Sequence, residues 1–383
     1  MTNSSIFPIE FPFVFRPNGW PTSPHPAPVL PRVISQQQLV SIHTAGTGTQ
    51  LYQFLSNQLV DLTWTRESRT DSRCDLQIPS TLDYDRMPDL YPWLHWVAVW
   101  DDTGQNLYWS GPIQKIKGNR DGLSLSCRDV GALFSRTRCP ISKRWDVTDP
   151  ALIAAELLEA MVELHGVGVK PVVLPDPFGD KFDYTAKGDE TMLDKAFDEL
   201  VQLGLHWTVV AGRPVLGPMP RPVVAALRED HFSGGGVTVI RDGANTYNDI
   251  LLRGADALSR ARVPMGGLNL QTIVNVDNAF GVSNVDRAVK QYARYVSKVR
   301  DSISMPDDAV LTPDAPISID QLIPSARITV EAFGLLIPME LHGVDVRCTP
   351  AESTVSVRLT AVDDDLPELI DIQSKGSISG AAQ

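Results

Sequence analysis

The sequence predicts an α+β fold that is predominantly β, with two strand-rich domains flanking a small α+β insert. Three observations predict it. Short alternating apolar and polar runs, separated by Gly, Asn and Asp turns, recur on both sides of the middle of the chain. Two closely spaced helices, each with start and stop signals, fall between about residues 148 and 204. The 29 prolines in 383 residues exceed the average usage of about 5% and disfavour long helical bundles.

Composition narrows the function before any motif is read. The length fits roughly two to four domains. Lys and Arg number 34 against 46 Asp and Glu, a net charge of −12 with pI near 5.0, so a nucleic-acid-binding role is disfavoured. Hydrophobic residues at 43% and charged residues at 21% suffice for packed cores without metals or crosslinks. Cys74, Cys127, Cys139 and Cys348 form none of the close pairs that zinc or redox motifs use, and read as buried thiols. The first residues carry no basic segment followed by an unbroken apolar one, so no secretory signal is expected. No run approaches the ~18 apolar residues of a membrane span.

The segment 1–37 is an extended arm. In the first sixty residues the only Asp, Glu, Lys or Arg are Glu10, Arg16 and Arg32, and eight prolines lie between Pro8 and Pro31. Phe7, Ile9, Phe11, Phe13 and Phe15 recur at every second position, which places all five on one face of an extended chain. Pro8 and Pro12 exclude a central ladder position. So apolar an arm either folds back on its own domain or docks on a neighbouring subunit by strand addition or groove filling.

Residues 38–144 read as a β-domain. Leu39–His43, Trp93–Trp100 and Gly122–Cys127 are its clearest strands, with turns at Asp101–Gly104 and Gly118–Gly122. The run containing Trp93, Trp96 and Trp100 is apolar on both faces, so it is expected to be a central strand or one whose second face meets another subunit. Residues 145–228 form the α+β insert. Asp149–Pro150 caps a helix that carries Ile153, Leu157, Leu158 and Met161 and stops at Gly166. Thr191-Met-Leu-Asp194 has the pattern of a capping box for a second helix ending near Gly204. Trp207–Ala211 and Pro214–Leu216 make a short hairpin about Gly212. Residues 229–372 return to strands, with one helix bearing Val285, Ala288, Val289, Tyr292, Val296 and Val299, and 373–383 form a polar tail.

Catalytic constellations mostly fail to appear. Ala45–Thr49 lacks the ending of a phosphate loop, the seven His are scattered, and Gly376–Gly380 has Ile378 where a nucleophile elbow needs serine. Asp363–Asp365 lacks the spacing of a calcium loop and reads as a solvated strand end. Neither cofactor nor metal is expected, and the chain is not expected to be an enzyme. Trp93, Trp96, Trp100 and Trp109 with Tyr91 and Tyr108 suit a core or a subunit interface; the alternative is a flat platform for a saccharide.

The order of several segments resembles the tail-hub family of long-tailed phages, the minor tail proteins typical of phages of actinobacteria. The similar pieces are Val60–Trp64 through Cys74–Pro79, the strand ending at Trp100, Leu107-Tyr-Trp-Ser-Gly-Pro-Ile-Gln-Lys-Ile116, and Leu123–Phe134 with its Arg128-Asp129. They continue with Met192–Leu200 before Leu205–Trp207, Asn248–Gly254, and Gln321–Pro324 before Arg327–Val330. The resemblance spans about residues 38–362. It implies two barrel-like hub β-domains flanking the insert, and a homotrimer at the tail tip that continues the tail tube as a pseudo-sixfold ring. It further implies contacts with the distal tail protein, the tape measure protein and other minor tail or fibre proteins. It brings no catalytic residues, and the chain would be made in the host bacterial cytoplasm and reside in the virion. The assembly interface expected on this basis comprises Phe7, Ile9, Phe11, Phe13, Phe15, Trp93, Trp96 and Trp100. The alternative function is a saccharide-binding or saccharide-cleaving tail component; a bacterial adaptor unrelated to phage is a third.

Overall fold

The computed structural model describes residues 38–81, 89–102, 104–176, 181–217, 223–234, 236–254, 258–276, 286, 289, 290, 292–294, 296–298, 300–306 and 309–362. The arm with Phe7, Ile9, Phe11, Phe13 and Phe15, the tail 373–383 and Asp363–Asp365 lie outside these. Strand accounts for 48% and helix for 17%, so the fold is α+β and mostly β.

The first β-domain contains β1 (Leu39–Thr44), β2 (Gln50–Leu55), β3 (Asp61–Glu67), β4 (Arg73–Pro79), β5 (His95–Trp100), β6 (Leu107–Asn119) and β7 (Gly122–Arg128). The insert follows with β8 (Lys143–Thr148), α1 (Pro150–His165), β9 (Val172–Val173), β10 (Phe182–Ala186), α2 (Leu193–Gln202), β11 (Trp207–Val210) and β12 (Arg213–Leu216). The remainder comprises β13 (Val223–Arg228), β14 (Thr238–Asp242), β15 (Asp249–Gly254), β16 (Leu258–Arg262), β17 (Gln271–Val276), β18 (Arg300–Ser304), β19 (Ala309–Val310), β20 (Arg327–Ala332), β21 (Leu335–Cys348) and β22 (Ser353–Ala361).

The chain divides into two compact units whose borders differ from the linear reading. Among the described residues, one comprises those of 38–236, 305–331 and 339–360; the other comprises those of 237–304, 332–338 and 361–362. In the first, a twelve-stranded sheet runs β13-β20-β21-β3-β4-β7-β6-β5-β1-β2, with β22 beside β21 and β19 beside β22. Strands from the end of the sequence thus complete the sheet begun by the first strands. β21 lies antiparallel to β3 with Val346 opposite Trp64. Charged pairs fasten this join. Arg347 meets Asp61 at 3.0 Å, and Arg358 bonds Glu67 and approaches Asp345 at 3.3 Å.

Arg66 makes the join three-dimensional. It falls on the same face of β3 as Leu62 and Trp64, and is 1% exposed. Its guanidinium donates to the carbonyls of Ile319 (2.7 Å), Leu322 (3.1 Å) and Tyr108 (3.2 Å), and lies 5.2 Å from the Trp64 ring centroid. Burial lowers its pKa to about 10, with Asp320 pulling the other way, so it stays charged at neutral pH.

β6 changes partners along its length. Residues from Leu107 to Pro112 pair with β5, and those from Ile113 onward pair with β7. Pro112, which has no N–H to give a ladder, sits at the changeover. Gly111 lies where the end of β7 crosses, and a Cβ there would stand 1.9 Å from the Arg128 carbonyl oxygen and 2.7 Å from the Asp129 Cα. β5 lies between β1 and β6, a central strand as its two apolar faces predict.

Asp129 ends β7 and starts a 3₁₀ turn at Val130–Arg136. Its carboxylate accepts from the Gly131 and Ser72 amides, both at 2.8 Å, and is fully buried. Burial pushes its pKa up to about 7, against the pull of those hydrogen bonds. Between about pH 4 and 7 the folded chain keeps a proton here that the unfolded chain has lost. The contribution of Asp129 to stability is therefore fullest near pH 4 and falls as pH rises through 7. We predict that the difference in unfolding free energy between wild type and Asp129→Asn changes steeply across that window in urea titrations. A difference independent of pH would refute the assignment.

The insert packs against the first β-domain through a shared core. Trp96, Phe134, Trp145, Ile153, Leu157, Phe197 and Trp207 all belong to it, with the Phe134 and Phe197 ring centroids 4.4 Å apart. α1 has the ends its sequence predicts. Asp149 accepts from the Ala151 amide, Pro150 follows, and Gly166 closes the helix at φ 63°. α2 departs from expectation, because no side chain caps it and Met192 occupies the N-cap. The Leu193 amide is satisfied instead by the Thr137 carbonyl at 2.9 Å, so tertiary structure does the work of the capping box.

The second unit has its own core. Ile250, Leu252 and Val274 from the sheet β16-β15-β17 pack on Val289 and Ala293 of a helical stretch, with Tyr292 and Val296 beside them. Asn248 braces the loop before β17, donating to the Val263 and Leu268 carbonyls and accepting from the Leu270 amide.

Candidate functional site

The expected interface tryptophans occupy three different settings. Trp96 is 2% exposed and lies in the core shared with the insert, so its area is spent within one protomer. Trp93 is half-buried against that same core, adopts φ 69°, and donates its amide to Ile113 O at 2.7 Å. Trp100 is half-buried beside Ala98, Leu107 and Ala211. Trp109 is buried as well. The rings do not assemble into an open stacking face, and Tyr91, 55% exposed, is the large exposed aromatic of this region among the described residues.

One arrangement mimics a catalytic pair. The Trp100 indole N–H donates to Ser41 Oγ (2.8 Å), and Ser41 Oγ stands 2.7 Å from His43 Nε2. Since the Gly48 carbonyl can only accept, His43 Nδ1 carries the ring proton and donates to it at 3.2 Å, which leaves Nε2 of the neutral ring to accept from the Ser41 hydroxyl. Ser41 and His43 are 2% and 3% exposed, which leaves a substrate no approach to the hydroxyl. Burial drives the His43 pKa down to about 4, against the Gly48 hydrogen bond, so the imidazole is neutral at pH 7. The relay braces β1 against β5.

Other chemistry is scarce. Among the described residues no three His, Cys, Asp or Glu side chains cluster to hold a metal ion. All four cysteines are buried and free, and burial raises the thiol pKa of each. No described helix is long and apolar enough to cross a membrane.

What the surface does present is apolar area that sequence reading passed over. Leu94 is 62% exposed next to Tyr91. The turn joining β20 to β21 carries Phe333 (67% exposed, φ 52°) and Gly334 (φ 79°), and Leu336 (67% exposed) follows at the start of β21. Two successive positive φ values are those of a type I′ turn, where Asn or Gly is usual, and a bulky residue costs ~1–3 kcal/mol there. The legible signal was Phe333-Gly334 followed by Leu335-Leu-Ile337 between alternating runs. In the second unit, Leu258 and Ile273 are 57% and 59% exposed.

The chain shares its fold with solved tail proteins. The tail protein of Neisseria meningitidis MC58 superposes with a TM-score of 0.52 at 16% identity, covering 85% of this chain and 97% of its own. The 43 kDa tail protein of prophage MuSo2 from Shewanella oneidensis gives 0.55 at 12% identity, covering 87% and 99%. No protein-family model and no curated protein matches the chain. The coarser expectation, an α+β and mostly β chain similar to tail proteins, is met.

Proposed function

We propose that this chain is a structural protein of a long-tailed phage virion, made in the host bacterial cytoplasm and built into the tail tip. In this reading three copies form a hub whose two barrel-like modules per subunit continue the tail tube. The hub joins the tube to the distal tail protein, the tape measure protein and the fibre or receptor-binding proteins. The reading assigns it neither catalysis nor specific binding of nucleic acid. The observation that carries it is the match of fold along almost the whole length of two solved tail proteins, one of them from a prophage. The buried Ser41–His43 pair and the dispersed tryptophans are consistent with it.

Light scattering and native mass measurement of the purified chain provide the test, with a trimer expected. A monomer that persists at high concentration and binds no other tail protein would overturn the proposal. Deleting residues 1–31 is expected to leave the core folded, with an unchanged circular dichroism spectrum, while impairing assembly. An unfolded product would instead assign the Phe-rich arm to the core of its own domain.

A further inference from the structure

Opposite faces of the sheet β16-β15-β17 have different fates. Ile250, Leu252 and Val274 turn toward the helical stretch. The register places Leu251 opposite Arg260 and Ile273, Asp249 opposite Arg262 and Gln271, and Arg253 opposite Leu258. These residues share the other face, because directly paired positions point the same way. Leu258 and Ile273 are more than half exposed there, and Arg253, Arg260 and Arg262 are exposed beside them. Arg260 is engaged by Asp249. The face thus interleaves aliphatic Leu251, Leu258 and Ile273 with Arg253, Arg260 and Arg262.

Charge is divided unevenly along the chain. Residues 237–304 carry nine Lys and Arg against six Asp, a net of +3, whereas residues 145–217 carry five against thirteen, a net of −8. Within that acidic insert, α1 presents Leu152 (43% exposed), Glu159, Glu163 and Leu164 (66% exposed) to solvent. Leu152, Glu159 and Glu163 lie seven and eleven residues apart, on one side of the helix. The ridge is aliphatic and acidic, the complement of the arginine-bearing face.

We propose that the open face of β16-β15-β17 in one copy docks on the α1 ridge of a second copy. The inference rests on the self-assembly put forward above and names the surfaces that make it. Two unlike patches on one chain give a head-to-tail contact, and such contacts close into rings when the rotation permits. Like charges at the wrong register would be repelled, which fixes the partner patch. A nucleic-acid backbone fits less well, since it asks for cations and has no use for exposed Leu258 and Ile273.

The test uses the full chain and two charge-reversed variants, Arg253→Glu with Arg262→Glu on the face and Glu159→Arg with Glu163→Arg on the ridge. Arg260 is left in place to spare its bond to Asp249, and arginine near the C-terminal end of α1 suits the helix dipole. Sedimentation velocity should show wild type associating and each variant needing ~10-fold or more higher concentration. A 1:1 mixture should regain association in part, because native face meets native ridge and reversed face meets reversed ridge wherever unlike variants are neighbours, which a ring of three allows at two of its three contacts. If a reversed variant fails to fold by circular dichroism, the neutral pairs Arg253→Gln with Arg262→Gln and Glu159→Gln with Glu163→Gln replace it, with a smaller loss expected. A monomeric wild type overturns both this contact and the hub. Association of wild type and variants alike, or variants not rescued by mixing, overturns the contact alone. Unchanged association with reduced retention of a double-stranded DNA fragment assigns the face to nucleic acid and also overturns it.

Discussion

Replacing Arg66 by methionine is expected to lower the unfolding free energy by about 3–5 kcal/mol, the range for removing one partner of a buried charged network. Methionine approximates the stem of arginine, so the loss isolates the guanidinium. The carbonyls of Ile319, Leu322 and Tyr108 lose the Arg66 donor together; Ile319 still accepts from the Leu322 amide at 3.2 Å, and an acceptor left stranded costs ~1–3 kcal/mol if no water replaces the guanidinium. Asp320 suffers in addition. Its carboxyl is raised by burial and held back by Arg66, so without the arginine it moves further up. Lysine should restore only part of the loss, since one ammonium cannot span carbonyls on two separate segments. Urea titration reads the result directly, and a change below ~1 kcal/mol would show that water serves these carbonyls as well as Arg66 does.

Gly111→Ala is expected to be as damaging for a different reason. The added methyl would meet the Arg128 carbonyl oxygen at 1.9 Å, and that obstacle is backbone at the end of β7, held by its pairing with Arg73 of β4. A flexible side chain can swing aside; a paired strand cannot. Overpacking of this kind costs ~1–3 kcal/mol and occasionally more, and here the upper end or failure to fold is expected. Gly46→Ala is the matched control, because nothing lies within 4 Å of the position its methyl would take. Comparable melting temperatures for the two variants would show that β6 and β7 can separate without penalty.

These two residues also mark how far the sequence could be read. Gly111 stands in Ser110-Gly-Pro-Ile113, part of the resemblance to tail hubs, and the crossing of β7 over β6 supplies its physical cause. Arg66 was overlooked because an arginine in an alternating strand suggests a solvent face, although it shares the parity of Leu62 and Trp64. The caps of α1 and the turn before Gly122, where Asn119 Oδ1 accepts from the Asp121 and Gly122 amides, were legible because local residues determine them. The pairing of β21 with β3 was not. Alternation says which side of a strand is buried but not which distant strand lies beside it. For that reason nothing in the sequence separates residues 305–360 from 229–304, whereas in the structure β19 to β22 join the sheet of the first β-domain. Likewise, the tryptophan run correctly signalled a central strand, while its aromatic content gave no hint that Trp96 would be consumed by the insert. The open face beneath Leu258 and Ile273 became visible only once the register fixed which side the helical stretch covers.

The late closure of β21 on β3 has a consequence during synthesis. Glu67 leaves the ribosome long before its partner Gly343, and at ~5–20 residues per second the wait is roughly 15–55 s. Throughout that interval β3 offers a bare row of amides and carbonyls, the kind of margin on which foreign chains polymerise. A nascent protomer is thereby incomplete until β21 has been made, and products truncated before it should precipitate or recruit chaperones.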